Sequence, residues 1–211
     1  MGLVVLGSMH LRRFANIAKA FSLAVALIAL SVQAAGQSYR STNPALVSRA
    51  EQLTGDRFTV VTTTPLGVTV FARTTPRVDL LSAIDRGFVE LFAIAQRHGY
   101  RSRLRFDDYT VFIARADRTK DSSGQYSPDI AVPAQQYAGS DYDQGGFIYV
   151  AGIVLAFDPG AFVIAEHDRD LGRVSNVVRY EGEHLILYYN DRALYESTAD
   201  HSRGGGHPIL K

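Results

Sequence analysis

Glu181 and His184 stand one helical turn apart, and His201 and His207 follow close behind them. Of the six histidines in the 211-residue chain, these three fall in its last 28 residues. A Glu-x-x-His pair on one face of a helix, joined by two later histidines, offers four oxygen and nitrogen ligands. That donor set suits zinc first, and iron or manganese next. A glutamate beside such an ion can also serve as general base in hydrolysis. Each residue also has a plainer use. Glu181 could pair with Arg173, Arg179 or Arg192. His184 could be a satisfied, half-buried histidine. His201 and His207 could cap helix ends on either side of a flexible triple glycine, Gly204 to Gly206.

The surrounding residues sharpen the question. Between Leu171 and Asn190 an apolar stripe runs through Val174, Val177, Val178, Leu185 and Tyr188, and Glu181 interrupts it. A carboxylate in an apolar stripe needs a cation, a hydrogen-bond donor or a metal. Gly182 costs a helix interior about 1 kcal/mol relative to alanine and often marks the close approach of another backbone. Tyr180-Glu181-Gly182-Glu183-His184 resembles the HExxH motif of zincin metallopeptidases, with tyrosine where the first histidine stands. It fits the inverted HxxEH form in the same way. The resemblance implies that Glu181 is the catalytic base, that His184 is a metal ligand, and that His201 or His207 replaces the missing one. Tyr180 and Glu183 would then support the ligands from behind. It also implies a small zincin-like order of elements, with a late active-site helix and a further helix after it.

The elements that must position these residues can be read from pattern. Asn43-Pro44 caps and opens a helix over 44–54 that Gly55 ends. Residues 58–62 and 68–72 form a β-hairpin around Thr64-Pro65-Leu66-Gly67. Leu80, Leu81, Ile84, Phe88, Leu91, Phe92 and Ala95 mark one face of a long helix closed by Gly99. Residues 109–114 read as a strand, and 115–146 as a long exposed loop. Residues 147–157 form one extended segment bent at Gly152. A turn at Asp158-Pro159-Gly160 and a strand over 161–165 follow. The long helix 171–190 comes next, then a short one to about Ala199, capped by Asn190 or Asp191. This order predicts an α+β fold in which an antiparallel or mixed sheet carries two long helices on one face.

Composition bounds the remaining options. Apolar residues make up 46% and charged residues 20%, as in an ordinary globular chain that can bury a real core. With no cysteine there is no disulfide, thiolate metal site or catalytic thiol. Arg12, Arg13 and Lys19 precede the apolar run 21–32, and small residues follow at 34–36, the layout of a signal peptide over residues 1–36. Met9 is an alternative start. The run is too short to span a bilayer, so the expectation is an exported domain over 37–211, periplasmic or extracellular, without stable membrane insertion after cleavage. Without that segment the chain carries 19 basic and 21 acidic residues and no basic patch, which argues against nucleic acid. Asp141-Tyr142-Asp143 lacks the remaining positions of a calcium loop. Gly-x-Ser-x-Gly and phosphate-binding motifs are absent.

Two functional readings stand at this point. One is an exported, metallohydrolase-like domain, intact or degenerate, acting on a peptide or small molecule. The other is a catalytically inert binding or structural module in which the Glu/His cluster is an ordinary polar network. Whether the chain is an enzyme, and its oligomeric state, stay open in the sequence.

Overall fold

A computed structural model describes residues 43–211 apart from 120, 121, 123, 125, 126 and 168. The signal segment expected over residues 1–36 lies outside the described residues. Asn43–Lys211 cluster as one compact unit. No helix among the described residues is long and apolar enough to cross a membrane.

The elements run α1 (Pro44–Thr54), β1 (Val60–Thr63), β2 (Thr69–Ala72), α2 (Val78–Arg97), β3 (Tyr109–Ala114), β4 (Ile130–Pro133), β5 (Phe147–Val150), β6 (Gly152–Ala156), β7 (Gly160–Ala165), α3 (Leu171–Asn190) and α4 (Arg192–Thr198). The fold is α+β. A five-stranded mixed sheet has the order β1-β2-β3-β7-β6, and β4 and β5 form a separate antiparallel pair. β2, β3 and β7 are parallel, while β1 and β6 are antiparallel edges. The central strands β3 and β7 are apolar at almost every position because both of their faces are covered.

Alternation along these strands sorts the core into two layers. Val70, Val111, Ile113, Phe162 and Ile164 face α2 and α3, which lie together on one side of the sheet. Phe71, Phe112, Ala114, Val163 and Ala165 face the other way. They pack against Leu46 and Ala50 of α1 and against Ile130, Val132 and Ile148 of the β4–β5 pair.

Two sequence expectations need correction. The segment 115–146 is not wholly an exposed loop: it contains β4, whose Ile130 and Val132 are buried in the second core layer. Short length and flanking prolines hid this strand. The segment 147–157 is not one strand. It breaks at Ala151, so that β5 pairs with β4 while β6 pairs with β7. The chain does bend beside Gly152, at Ala151, and a separate register shift falls between Val154 and Ala156.

The two long helices meet through small residues. The Ser175 hydroxyl donates to the Ala83 carbonyl at 2.8 Å. A Cβ on Gly87 would lie 2.7 Å from the Ser175 carbonyl oxygen and 2.8 Å from Val178 Cβ. Backbone oxygen cannot swing aside, so Gly87→Ala must push α3 off α2 despite alanine's better helix propensity. The expected cost is about 1–3 kcal/mol, or a melting temperature lower by several degrees. Thermal denaturation followed by circular dichroism measures it, and an unchanged midpoint would contradict this packing.

Candidate functional site

α3 begins at Asp170, whose carboxylate accepts from Arg173 N–H at 2.8 Å. Within its second half Gly182 to Leu187 are all buried, while Glu181 and residues 188–190 are half-buried. α2 and the sheet cover one side, and the C-terminal segment covers the other. Two glycines allow this enclosure. A Cβ on Gly182 would lie 2.5 Å from Leu91 Cδ2, and one on Gly152 would lie 2.8 Å from Glu181 Cγ. Gly152 is therefore the place where α3 presses its glutamate against edge strand β6.

The C-terminal segment reaches α3 through a series of caps. Asp191 accepts from Leu194 N–H and starts α4. Asp200 accepts from Ser202 N–H and starts the short 3-10 turn His201–Arg203, which Gly204 ends with φ 81°. The triple glycine does not hang free. Gly205 N–H donates to the Asp200 carbonyl at 3.1 Å and Gly206 N–H to the Thr198 carbonyl at 2.9 Å. A Cβ on Gly205 would run into that Thr198 oxygen, so only glycine fits there.

This path folds His201 and His207 back onto His184. The three rings have centroid separations of 5.2, 4.9 and 4.8 Å. One ligand atom from each lies within 4.8 Å of the others, and no other such group occurs among the described residues. A tetrahedral zinc with bonds of about 2.0–2.1 Å needs its nitrogens roughly 3.3 Å apart. Ion binding would therefore have to draw the three donors closer together, by up to about 1.5 Å.

The chemistry of the donors also fits a cation. His184 is buried, and its Nδ1 has no hydrogen-bond partner. A buried nitrogen left unsatisfied is costly unless something coordinates it. Burial, and then the nearby His207 and His201, push the His184 pKa down to about 3, so it stays neutral and keeps its lone pair. Burial likewise holds His201 below the ordinary histidine value. Glu183 is fully buried; its carboxylate accepts from His207 Nδ1–H at 2.7 Å and from Ile209 N–H at 2.8 Å. The Tyr180 ring stacks on His207 at 4.5 Å with 17° between planes.

Glu181 differs from Glu183. None of the three candidate arginines reaches it: Arg173 pairs with Asp129, Arg179 with Glu90, and Arg192 with Glu196. It has no hydrogen-bond or ion-pair partner among the described residues, and burial pushes its pKa up to about 8. Glu181, His184 and His201 all face one cleft of about 770 Å³. Edge strand β6, Tyr195 of α4 and residues of the 135–149 stretch form its other walls. Among the described residues the acidic loop contributes to no second such group. Asp143 accepts from Gly139 and Gly146 N–H groups and so closes its own turn.

The sequence pointed to Glu181, His184, His201 and His207; the structure groups the three histidines beside the middle of α3, and Glu181 shares a cleft with His184 and His201. The sequence did not show that Glu183 backs His207, that Gly152 and Gly205 are close-approach positions, or that Tyr195 walls the cleft. The run Leu185-Ile186-Leu187 behind Glu183 carried part of that signal, since a helix apolar all round is enclosed all round. Comparison with family models, curated proteins and solved structures gives no match to this chain.

The two shifted groups act on stability in opposite directions. A carboxyl raised to about 8 binds its proton more tightly folded than unfolded, so its contribution is lost as pH rises from about 4.5 through 8. A histidine lowered to about 3 contributes stability that is lost as pH falls from about 6.5 towards 3. In metal-free protein held in chelator, Glu181→Gln should therefore raise the melting temperature by several degrees at pH 9 and barely change it at pH 5. An equal effect at both pH values would show that Glu181 is solvated.

Proposed function

We propose that this chain is a metal-dependent hydrolase of amide or ester bonds, with His184, His201 and His207 as ligands and Glu181 as general base. The observation that carries the reading is the convergence of three imidazoles, one with an orphaned buried nitrogen, beside a cleft that an unpaired glutamate also faces. The donor set favours zinc or another divalent transition ion over calcium or magnesium. Such an ion acidifies water and polarises a carbonyl group. Glu181 takes the proton of the attacking water and returns it to the leaving group. A cation held by the three histidines would favour the ionised, proton-accepting form of the Glu181 carboxylate. Glu181 can alternatively serve as a further ligand.

The resemblance to zincins is kept at the level of Glu181 and His184. In this chain His207, stacked on Tyr180, supplies what the first motif histidine supplies in that family. Edge strand β6 runs along the cleft and offers backbone groups to an extended peptide-like substrate. Export through the segment at 1–36 remains part of this reading. The inert-module alternative draws support from the Glu183–His207 pair and the Tyr180 stack, which are satisfied without an ion. It leaves the His184 Nδ1 unexplained.

Metal analysis of the purified protein separates the two. The expectation is close to one zinc, or other transition ion, per chain. The double variant His184→Ala/His201→Ala should lose it, while Glu181→Gln keeps it and loses at least about 100-fold in hydrolysis. Protein without metal, whose melting temperature zinc does not move, would leave the polar-network module standing.

A further inference from the structure

Glu183 is the least expected group in the site, because a carboxylate with no exposed surface is normally avoided. Both of its oxygens are spoken for by the same stretch of chain. Oε2 accepts from His207 Nδ1–H, and Oε1 accepts from the Ile209 backbone N–H. No arginine or lysine is bonded to it among the described residues. With the carboxylate as acceptor in this contact, His207 carries its proton on Nδ1, which leaves Nε2, across the ring, free of the carboxylate. That is the tautomer in which an imidazole backed by a carboxylate presents its second nitrogen to a metal. Tyr180, stacked on the ring, fixes the remaining rotation. Beyond His207, the apolar anchor Ile209 is buried, and just before His207 the Gly206 N–H is tied to Thr198.

We propose that Glu183 is the positioning residue of the metal centre, and that through it ion binding and the docking of residues 204–211 onto α3 are one linked equilibrium. This rests on the metal-site reading above. His184 belongs to the helix, while His207 belongs to the docked segment. An ion bound by both must stabilise docking by as much as docking strengthens ion binding, since linkage is reciprocal. Removing the Glu183 charge frees the His207 ring and loosens the Ile209 clamp together. The amide introduced by Glu183→Gln has one acceptor oxygen; used for Ile209 N–H, it turns its NH2 donor towards His207 Nδ1, which must then accept, so the imidazole proton moves to Nε2.

The test uses the full chain, with zinc alone as the probe. Zinc affinity is measured by chelator competition, and exchange of the Ile209 amide hydrogen by mass spectrometry or NMR with and without zinc. The expected results are three. Zinc slows Ile209 exchange in the parent. Glu183→Gln binds zinc about 10–100-fold more weakly, with a changed visible spectrum when cobalt(II) replaces zinc. In His184→Ala, zinc no longer protects Ile209. Glu183→Gln binding zinc as tightly as the parent overturns the positioning role. Unchanged Ile209 exchange on adding zinc to the parent overturns the linkage, and this arm needs no variant to fold. Both results leave the metal site itself standing. A parent that binds no zinc overturns the site and the proposal together.

Discussion

The cost of burying the Glu183 carboxylate sets the terms for the whole C-terminal half. An unanswered buried charge is worth several kcal/mol against folding. The chain answers it with two donors from residues 207 and 209, which lie beyond α4 and must be brought back across α3. The aspartate caps, the 3-10 turn and Gly205 all serve that return. Once it is made, His207 and His201 have no choice but to stand beside His184. The histidine cluster is thus a consequence of how one carboxylate is satisfied, and the cleft beside it is what remains between α3, α4 and edge strand β6.

Satisfaction is uneven across the site, and the unevenness is informative. The Glu183 carboxylate is fully partnered, by His207 and Ile209, and Tyr180 closes over the imidazole. Glu181 and the His184 Nδ1 are not partnered. On the proposed reading these are the groups left open to an ion and to a proton in transit.

Much of this was legible in the sequence, for identifiable reasons. α1, β3 and α3 fall where capping residues, β-branched runs and the 3.6-residue period place them, and the two long helices pack on one face of a mixed sheet as the element order predicts. The polar residues of the site also stood out, Glu181 because it broke an apolar stripe and His184, His201 and His207 because half of the histidines crowd the last 28 residues. What stayed hidden depends on contacts distant in sequence. β4 has only four residues and gains its meaning from pairing with β5. Gly152 reads as a bend in isolation, but its lack of a side chain is required by Glu181, which arrives from a helix later in the chain. Glu183 stood behind the ligands only through the zincin resemblance; that its partners are His207 and the Ile209 amide depends on the C-terminal segment that covers it. The triple glycine looked loose, although the amides of Gly205 and Gly206 are bonded to carbonyls at and just beyond the end of α4.

X-ray absorption at the zinc edge, on the full chain loaded with one equivalent of zinc, tests the central claim most directly. The account predicts a first shell of nitrogen and oxygen at about 2.0–2.1 Å, with outer-shell scattering from three imidazole rings that falls to two in His207→Ala. A first shell of oxygen alone, or imidazole scattering indifferent to His184, His201 and His207, would contradict it.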